Sequence, residues 1–339
     1  MPSTALRPLT SFLSGPQKIC AVMVTHNIGI SVLGSLESLL RQAQDVIIVD
    51  NCSSEATLRM LEQWVSEHPG RAHLIKHSTN NLAMAQNAGI RLALQRQCDW
   101  VLMMDHDSLP SADMVVEMLS SQQEYRDSIS VGIIAPYLSD VNSCRTPKYL
   151  RRWGSFGFRR TSFGRRAVLD DAMCVIASGS LIRRDLLEKV GLMDEHLCID
   201  DIDRDFCLRS IKSGYRILVV RAAVLKHQLG QCRDHYMLGM RVTTTNHTAQ
   251  RRYYIYRNRL TNWLRHGWAI PSFVIFDALA ITYDLGRIIF LEADKRQKLR
   301  AAFTGMGHAI RGVKGHNPLF LPGAKPPQAT VQATVQANG

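Results

Sequence analysis

Asp105-His106-Asp107 follows directly on the apolar run Trp100–Met104. If that run is a strand, both carboxylates leave its end on one side, where they can share a hard divalent cation. The triplet equally suits a solvated turn, with Ser108-Leu109-Pro110 starting the next helix. A second acidic group, Asp200-Asp201-Ile202-Asp203-Arg204-Asp205, holds four carboxylates in six positions. Their mutual repulsion raises some of the pKa values, the condition a general base needs; as capping residues they would instead complement the helix continuing through Phe206-Cys207-Leu208-Arg209. Asp50-Asn51 ends the run VIIVD, where an Asp serves either a ligand or the cap of the following helix. His227 ends LVVRAAVLKH, and Arg257-Asn258 lies inside RRYYIYRNRL. Each of these has an ordinary reading too, a strand-end polar residue and an exposed helix face.

The elements that must position these residues alternate regularly. Ile19–Thr25 and Val46–Asp50 are short β-branched runs separated by a helical pattern over Val32–Arg41, which makes a parallel β-α-β unit with a right-handed crossover. Helices over Ala56–Ser66, Ala83–Gln95 and Ala112–Ser120 alternate with strands at His73–His77 and Trp100–Met104. The pattern predicts an α/β fold, a doubly wound, mainly parallel sheet with ligands at the carboxyl ends of its strands. Thr25-His26-Asn27, Asp50-Asn51 and Asp105-His106-Asp107 all fall at those ends. From Arg145 to Leu169 come eight basic residues, five aromatics and no acid, interrupted by Gly154, Gly157 and Gly164, which reads as a basic-aromatic loop region. The small-residue turn Ser178-Gly179-Ser180, a helix at Arg184–Val190, the acidic helix over Asp200–Ser213 and a strand at Arg216–Leu225 follow. The chain is then helical from Arg251 to Gly312.

Composition narrows the function classes. With 339 residues, 46% hydrophobic and 21% charged, the chain has the mix of a packed globular protein. Its net charge of +12 predicts attraction to a polyanion: nucleic acid, an anionic membrane face or a phosphorylated substrate. The charge is unevenly divided. Residues 1–140 carry nine Lys and Arg against 14 Asp and Glu, whereas 141–339 carry 32 against 15. The eight cysteines contain no C-x-x-C pair, so a reducing compartment with free thiols is expected. The N-terminal segment lacks the apolar run of a signal peptide. Trp268–Leu291 is apolar but broken by Asp277, Asp284 and Arg287, which suits an interfacial or packed helix better than a membrane span. No G-x-G-x-x-G follows the first strand and no G-x-x-x-x-G-K-[ST] occurs, which sets aside dinucleotide and P-loop enzymes. A non-catalytic nucleic-acid or membrane-surface module would have to hold two acidic clusters beside its polyanion.

Taken in chain order, strand-Thr25-His26-Asn27, Val49-Asp50-Asn51, Asn81-x-x-x-Ala85-x-Asn87-x-Gly89, Asp105-His106-Asp107, the acidic helix and His227-x-x-Gly230 resemble the inverting family 2 glycosyltransferases. The resemblance covers roughly Lys18 to Leu264. Within that family CIDDIDRDFCLR, KHQLG and RRYYIYRN are similar to bacterial rhamnosyltransferases of the surface-polysaccharide and rhamnolipid types. It implies a GT-A-type, Rossmann-like fold with a C-terminal helical segment. It also implies transfer of a sugar, L-rhamnose from dTDP-L-rhamnose, to a lipid-linked glycan or glycolipid; UDP- or GDP-linked sugars are the alternative donors.

The resemblance also distributes roles. Asp50, with Asn51 beside it, would accept from the pyrimidine N3–H, and Thr25 and Asn27 would line base and ribose. Asn87 and Gly89 would lie under the ribose and diphosphate, and Arg257 would neutralise the diphosphate. Asp105 and Asp107, completed by His227, would hold Mg²⁺ or Mn²⁺. Aligning Asp205-Phe206-Cys207-Leu208-Arg209 with the family's Asp-Leu-x-Leu-Arg tail places the catalytic base at Asp203, with Asp200 and Asp201 as rivals. The Glu that precedes this Asp in many members is Ile202 here. The expected division is a tail over 1–17, a nucleotide-sugar-binding half over 18–140, an acceptor-binding and catalytic half over 141–260, a helical, membrane-associating segment over 261–317 and a tail over 318–339. The basic second half fits a cytoplasmic protein peripheral to the inner face of the cytoplasmic membrane, with no nucleic-acid partner. A homo-oligomer is left open by the sequence.

Overall fold

β1 (Ile19–Thr25) is buried along its whole length, and its side chains alternate between two apolar clusters. Cys20, Val22 and Val24 enter one, Ile19, Ala21 and Met23 the other, as the two-residue period of a strand covered on both faces requires. The computed structural model describes residues 17–125, 130–140, 147–153, 157–227, 233–237 and 240–317. The tails expected over 1–17 and 318–339 lie outside these residues, apart from Gln17, and so does Gly230.

Around β1 the expected alternation is present: α1 (Val32–Leu40), β2 (Asp45–Asn51), α2 (Glu55–Glu67), β3 (Ala72–His77), α3 (Leu82–Gln95) and β4 (Trp100–Asp105). β3, β2, β1 and β4 are neighbours in that order, all parallel. Beyond β4 the sheet continues through β11 (Leu181–Arg183), β6 (Val131–Asp140), β12 (Arg216–His227) and β5 (Ser108–Pro110). β11 and β5 run antiparallel to their neighbours, while β6 and β12 are parallel. β5 is a difference from the expected turn: Ser108–Pro110 pairs with Leu225–His227, which fastens the acidic triplet to the strand that carries His227. α4 (Met114–Gln123) packs against β12 and β6.

The basic-aromatic stretch is not a loop. β7 (Tyr149–Trp153) and β8 (Gly157–Thr161) form a hairpin, and β10 (Ala172–Cys174) pairs with β7. Burying Arg151 there is tolerated because Asp171 takes its guanidinium in two bonds of 2.6 and 2.7 Å, and the Tyr149 hydroxyl accepts from the Leu138 N–H. β9 (Val168–Leu169) adds to β12. α5 (Arg184–Val190) and α6 (Ile202–Lys212) follow, then the β13 (Arg233–Met237) and β14 (Met240–Thr244) pair.

Three helices close the chain: α7 (Ala249–His266), α8 (Pro271–Leu291) and α9 (Lys295–Ile310). α7 runs unbroken across the boundary expected at 260–261. α8 is turned against the usual amphipathic rule. Its carboxylates face inward: Asp277 is bonded by Arg259, Arg204 and Trp263, and Asp284 by Arg252, Tyr256 and Arg287. Ile275, Leu279, Tyr283 and Phe290 face outward, each more than half exposed. Among the described residues no helix is long and apolar enough to cross a membrane.

Candidate active site

The carboxyl ends of β1, β2 and β4 open into a cavity of about 330 Å³. Thr25, Asn51, Asp105 and Asp107 line it, as do His26, Asn80, Tyr254 and His316. Asp50 lies one layer beneath. Its carboxylate accepts from the Thr25 hydroxyl at 3.3 Å and from the Ser53 N–H at 2.9 Å, so it both braces Thr25 and closes the β2–α2 turn. Asn51 spends its amide on Asn80 and on the Asn81 N–H. Asn27 sits outside the cavity lining, where its backbone N–H donates to Ser53 and its side chain accepts from the Ser54 N–H.

Asp105, Asp107 and His227 each offer one ligand atom, all within 4.8 Å of one another. Ser178 and Ser108 hold the group together. The Asp105 N–H donates to Ser178 Oγ at 3.1 Å, the two hydroxyls are 2.8 Å apart, and Ser108 Oγ is 2.7 Å from His227 Nδ1. Ser178 reaches this place from a tight turn in which Gly179 has φ +78°; a Cβ on Gly179 would stand 2.7 Å from Pro136 and carry left-handed strain. Burial and the charge of Asp107 raise the Asp105 pKa, against the pull of His227 and His106. Two carboxylates and an imidazole, with one carboxylate short of positive charge, are a donor set that fits a divalent cation.

The four carboxylates of the acidic helix separate by partner. Asp200 is held by Arg251, Asp201 by Arg204, and Asp205 by Arg209 and His266. Asp203 has no Lys, Arg or His partner within salt-bridge distance among the described residues. Burial first, then the charge of Asp105, pushes its pKa up to about 7, against a hydrogen bond from the Ala177 N–H. It borders a small cavity with Val175, Ile176 and Ala177, on the other side of the segment that presents Ser178. Asp201 is raised to about 6, again by burial, but its Oδ1 is paired with Arg204 at 2.9 Å, while Oδ2 is buried without a partner among the described residues.

Three further expected nucleotide-sugar contacts, besides Asn27, are placed elsewhere. Asn87 is buried under the 193–195 turn; its amide donates to Met193 O and Glu195 Oε1 and accepts from the Met193 N–H. Gly89 is where α3 meets β1, and a Cβ there would lie 2.3 Å from Val22 Cγ1. It sets helix–sheet distance rather than ligand space. Arg257 is 2% exposed and bonds to Asn258 Oδ1 and to the carbonyls of His196, Leu197 and Gly315. Four guanidinium bonds, out of five N–H groups, end on backbone or Asn258, and Arg257 is not on the cavity lining where a diphosphate would lie. Conversely, His316 has no signal in the sequence; Tyr254 has only its place in RRYYIYRN, and Ser108 and Ser178 only the turns expected around them.

A mainly parallel sheet whose central strand ends in such an acidic pair, with a raised carboxylate across one short segment, has the form of a glycosyltransferase that uses a nucleotide-sugar donor. The family model described as Glycosyl transferase family 2 matches residues 20–191, and the chain belongs to that family. It is 26% identical over 308 residues to the dTDP-rhamnosyl transferase RfbF of Shigella flexneri, covering 88% of this chain and 97% of the relative. Among solved structures it is similar in fold to S. aureus TarS residues 1–349 in complex with UDP-GlcNAc, with TM-score 0.58 at 15% identity over 88% of this chain and 82% of that one. GalNAc-T7 with UDP, GalNAc and Mn²⁺ gives 0.54 at 12% identity over 74% of this chain; the chain spans 48% of that protein's length.

Proposed function

We propose that the chain transfers L-rhamnose from dTDP-L-rhamnose to a lipid-linked or glycolipid acceptor, with inversion at the anomeric carbon. The observation that carries the chemistry is the position of Asp203, alone among its acidic neighbours without a cationic partner among the described residues and bordering the segment whose Ser178 accepts from the Asp105 N–H. The similarity to RfbF supports the donor.

Asp105, Asp107 and His227 would hold the divalent ion, Mg²⁺ or Mn²⁺, and Thr25 and Asn51, braced by Asp50, would bind the nucleoside. The ion supplies positive charge to the diphosphate leaving group. Asp203 takes the proton of an acceptor hydroxyl as its oxygen attacks the anomeric carbon. A carboxylate with a pKa of about 7 is matched to that task near neutral pH.

The acceptor reading rests on a second cavity, about 550 Å³, that begins at Ile176 and Ser178 and runs between β7–β8 and α8. Phe273, Phe276 and Tyr283 give it an apolar wall, with Lys148 and Arg160 also on its lining. Tyr283 belongs to the outward apolar row of α8 as well, so cavity and row are continuous. An outward row of this kind beside a basic surface supports a peripheral position on an anionic membrane.

The test is incubation of purified chain with dTDP-L-rhamnose, UDP-sugars and GDP-sugars, with extracted membrane lipids, in Mn²⁺ or EDTA. Rhamnosylated lipid and released dTDP are expected only with the first donor and only without EDTA. Preference for a UDP- or GDP-sugar would replace the donor, and transfer to water-soluble glycans alone would replace the acceptor.

A further inference from the structure

His316 stands at the donor cavity without belonging to any sugar-transfer motif in the sequence. It lines the cavity together with Thr25, Asn51, Asp105 and Tyr254, yet comes from the segment after α9, well beyond the matched family region of 20–191. Both of its ring nitrogens are shielded from solvent and have no hydrogen-bond partner among the described residues. Burying an imidazole in this way costs free energy unless something bonds to it.

The backbone on either side of His316 is fastened. Before it, the Gly315 N–H donates to His196 O at 3.1 Å, and Gly315 O accepts from Arg257 Nη1. After it, the Asn317 N–H donates to the Tyr254 hydroxyl at 3.1 Å. Arg257 also bonds the carbonyls of His196 and Leu197, so one guanidinium holds both the 196–197 turn and the 315–317 segment. Tyr254, whose ring lies 4.9 Å from that guanidinium, lines the cavity itself. Such bracing fixes the backbone from which the His316 side chain is presented to the cavity.

We infer that His316 is a donor-binding residue, one whose ring turns into the cavity to complete its hydrogen bonds on the nucleotide diphosphate of the sugar donor, and that Arg257 is the positioning residue that holds its backbone at the cavity. This inference rests on the nucleotide-sugar reading of the cavity. Burial, with Arg257 nearby, lowers the His316 pKa, so the ring is neutral at pH 7 and offers one N–H donor and one acceptor lone pair. A phosphate oxygen takes the donor, and a ribose hydroxyl satisfies the lone pair. The arrangement also explains why the buried Arg257, placed by sequence on the diphosphate, touches none of the cavity: it acts one residue removed, through the backbone of Gly315.

The experiment is calorimetric titration of the full chain with dTDP, UDP and GDP in excess Mn²⁺, for the parent, His316→Ala and His316→Gln. For the nucleotide the parent binds, His316→Ala is expected to weaken binding about 10-fold, with an unchanged melting temperature in the absence of nucleotide. His316→Gln, which keeps an N–H at similar reach, is expected to recover part of the loss. An imidazole nitrogen resonance of the parent, assigned by its absence from His316→Ala, should shift on addition of nucleotide. Equal affinity of parent and His316→Ala overturns the inference and leaves the nucleotide-sugar reading standing. Failure of the parent to bind any of the three nucleotides overturns that reading itself.

Discussion

Asp105 and Asp203 meet the same short segment at neighbouring residues: the Asp105 N–H donates to Ser178 Oγ, and Asp203 borders the small cavity that Val175, Ile176 and Ala177 line. The group that would face the leaving diphosphate and the group that would face the attacking hydroxyl thereby flank one segment, 177–178. Their charges also interact, since Asp105 adds to the burial that raises Asp203.

Asp203→Asn should leave donor binding within about twofold of the parent while lowering kcat by roughly 10²–10⁴-fold. Isothermal titration with dTDP beside a rhamnosyl-transfer assay separates the two effects. Retained turnover would move the base to Asp201 or Asp200.

The pH profile carries a sign in both rate and stability. Asp203 must be ionised to act as base, so log kcat should rise with unit slope below about pH 7 and level off above it. Its folded pKa lies above its unfolded value of 3.8, so the folded state holds the extra proton between those two values. The favourable contribution of the protonated form is therefore full below about pH 4 and is lost as pH rises through about 7. Asp203→Asn should accordingly raise the melting temperature at pH 8 and leave it unchanged at pH 3.5, in scans without nucleotide.

Asp107→Asn should weaken Mn²⁺-dependent binding of dTDP by roughly 10²-fold, because one of three converging ligand atoms is replaced by a neutral one. Melting scans with dTDP, with and without Mn²⁺, report the difference. A variant that kept the full metal-dependent shift would remove Asp107 from the ligand set.

Asn87→Ala and Gly89→Ala should act on stability, each costing about 1–3 kcal/mol, the first through three lost hydrogen bonds and the second through overpacking against Val22. Urea denaturation measures this. In the fraction that remains folded, KM for the donor should match the parent, whereas a selective rise in KM would return these residues to the donor site.

Ile275→Glu and Leu279→Glu should each reduce association with anionic vesicles by about 10-fold, with the dTDP-induced melting shift intact. Co-sedimentation is the readout. A change of oligomeric state in place of lost vesicle binding would mean that a second copy covers α8.

How far the sequence could be read follows a physical division. The parallel core was legible because β1, β2 and β4 are apolar on both faces and their polar ends stand out; Thr25, Asn51, Asp105 and Asp107 come together as local patterning suggests. Asn87 and Gly89 have the residue types of a ligand loop, but their partners, Met193, Glu195 and Val22, are set by tertiary packing that no local spacing encodes. The hairpin of β7 and β8 was hidden for a similar reason. Arg151 reads as solvated until Asp171, 20 positions on, is seen to neutralise it. α8 is a packed helix, as its interrupting charges suggest; what local spacing does not give is that Asp277 and Asp284 are buried on arginines, on the face opposite the exposed apolar row.

The clamp of Arg257 on Gly315 also bears on the order in which the molecule is assembled. Thr25 and His316, which share one cavity, are about 290 positions apart, and contacts of such separation form late because a long loop must close before they are gained. The acidic pair on β4 can be in place while the cavity is still open on the side of α7 and α9. Nucleotide binding then couples to the docking of those helices and stabilises them by mass action. Protection of the α9 amides from hydrogen exchange should therefore rise when dTDP is bound, although no residue of α9 lines the cavity.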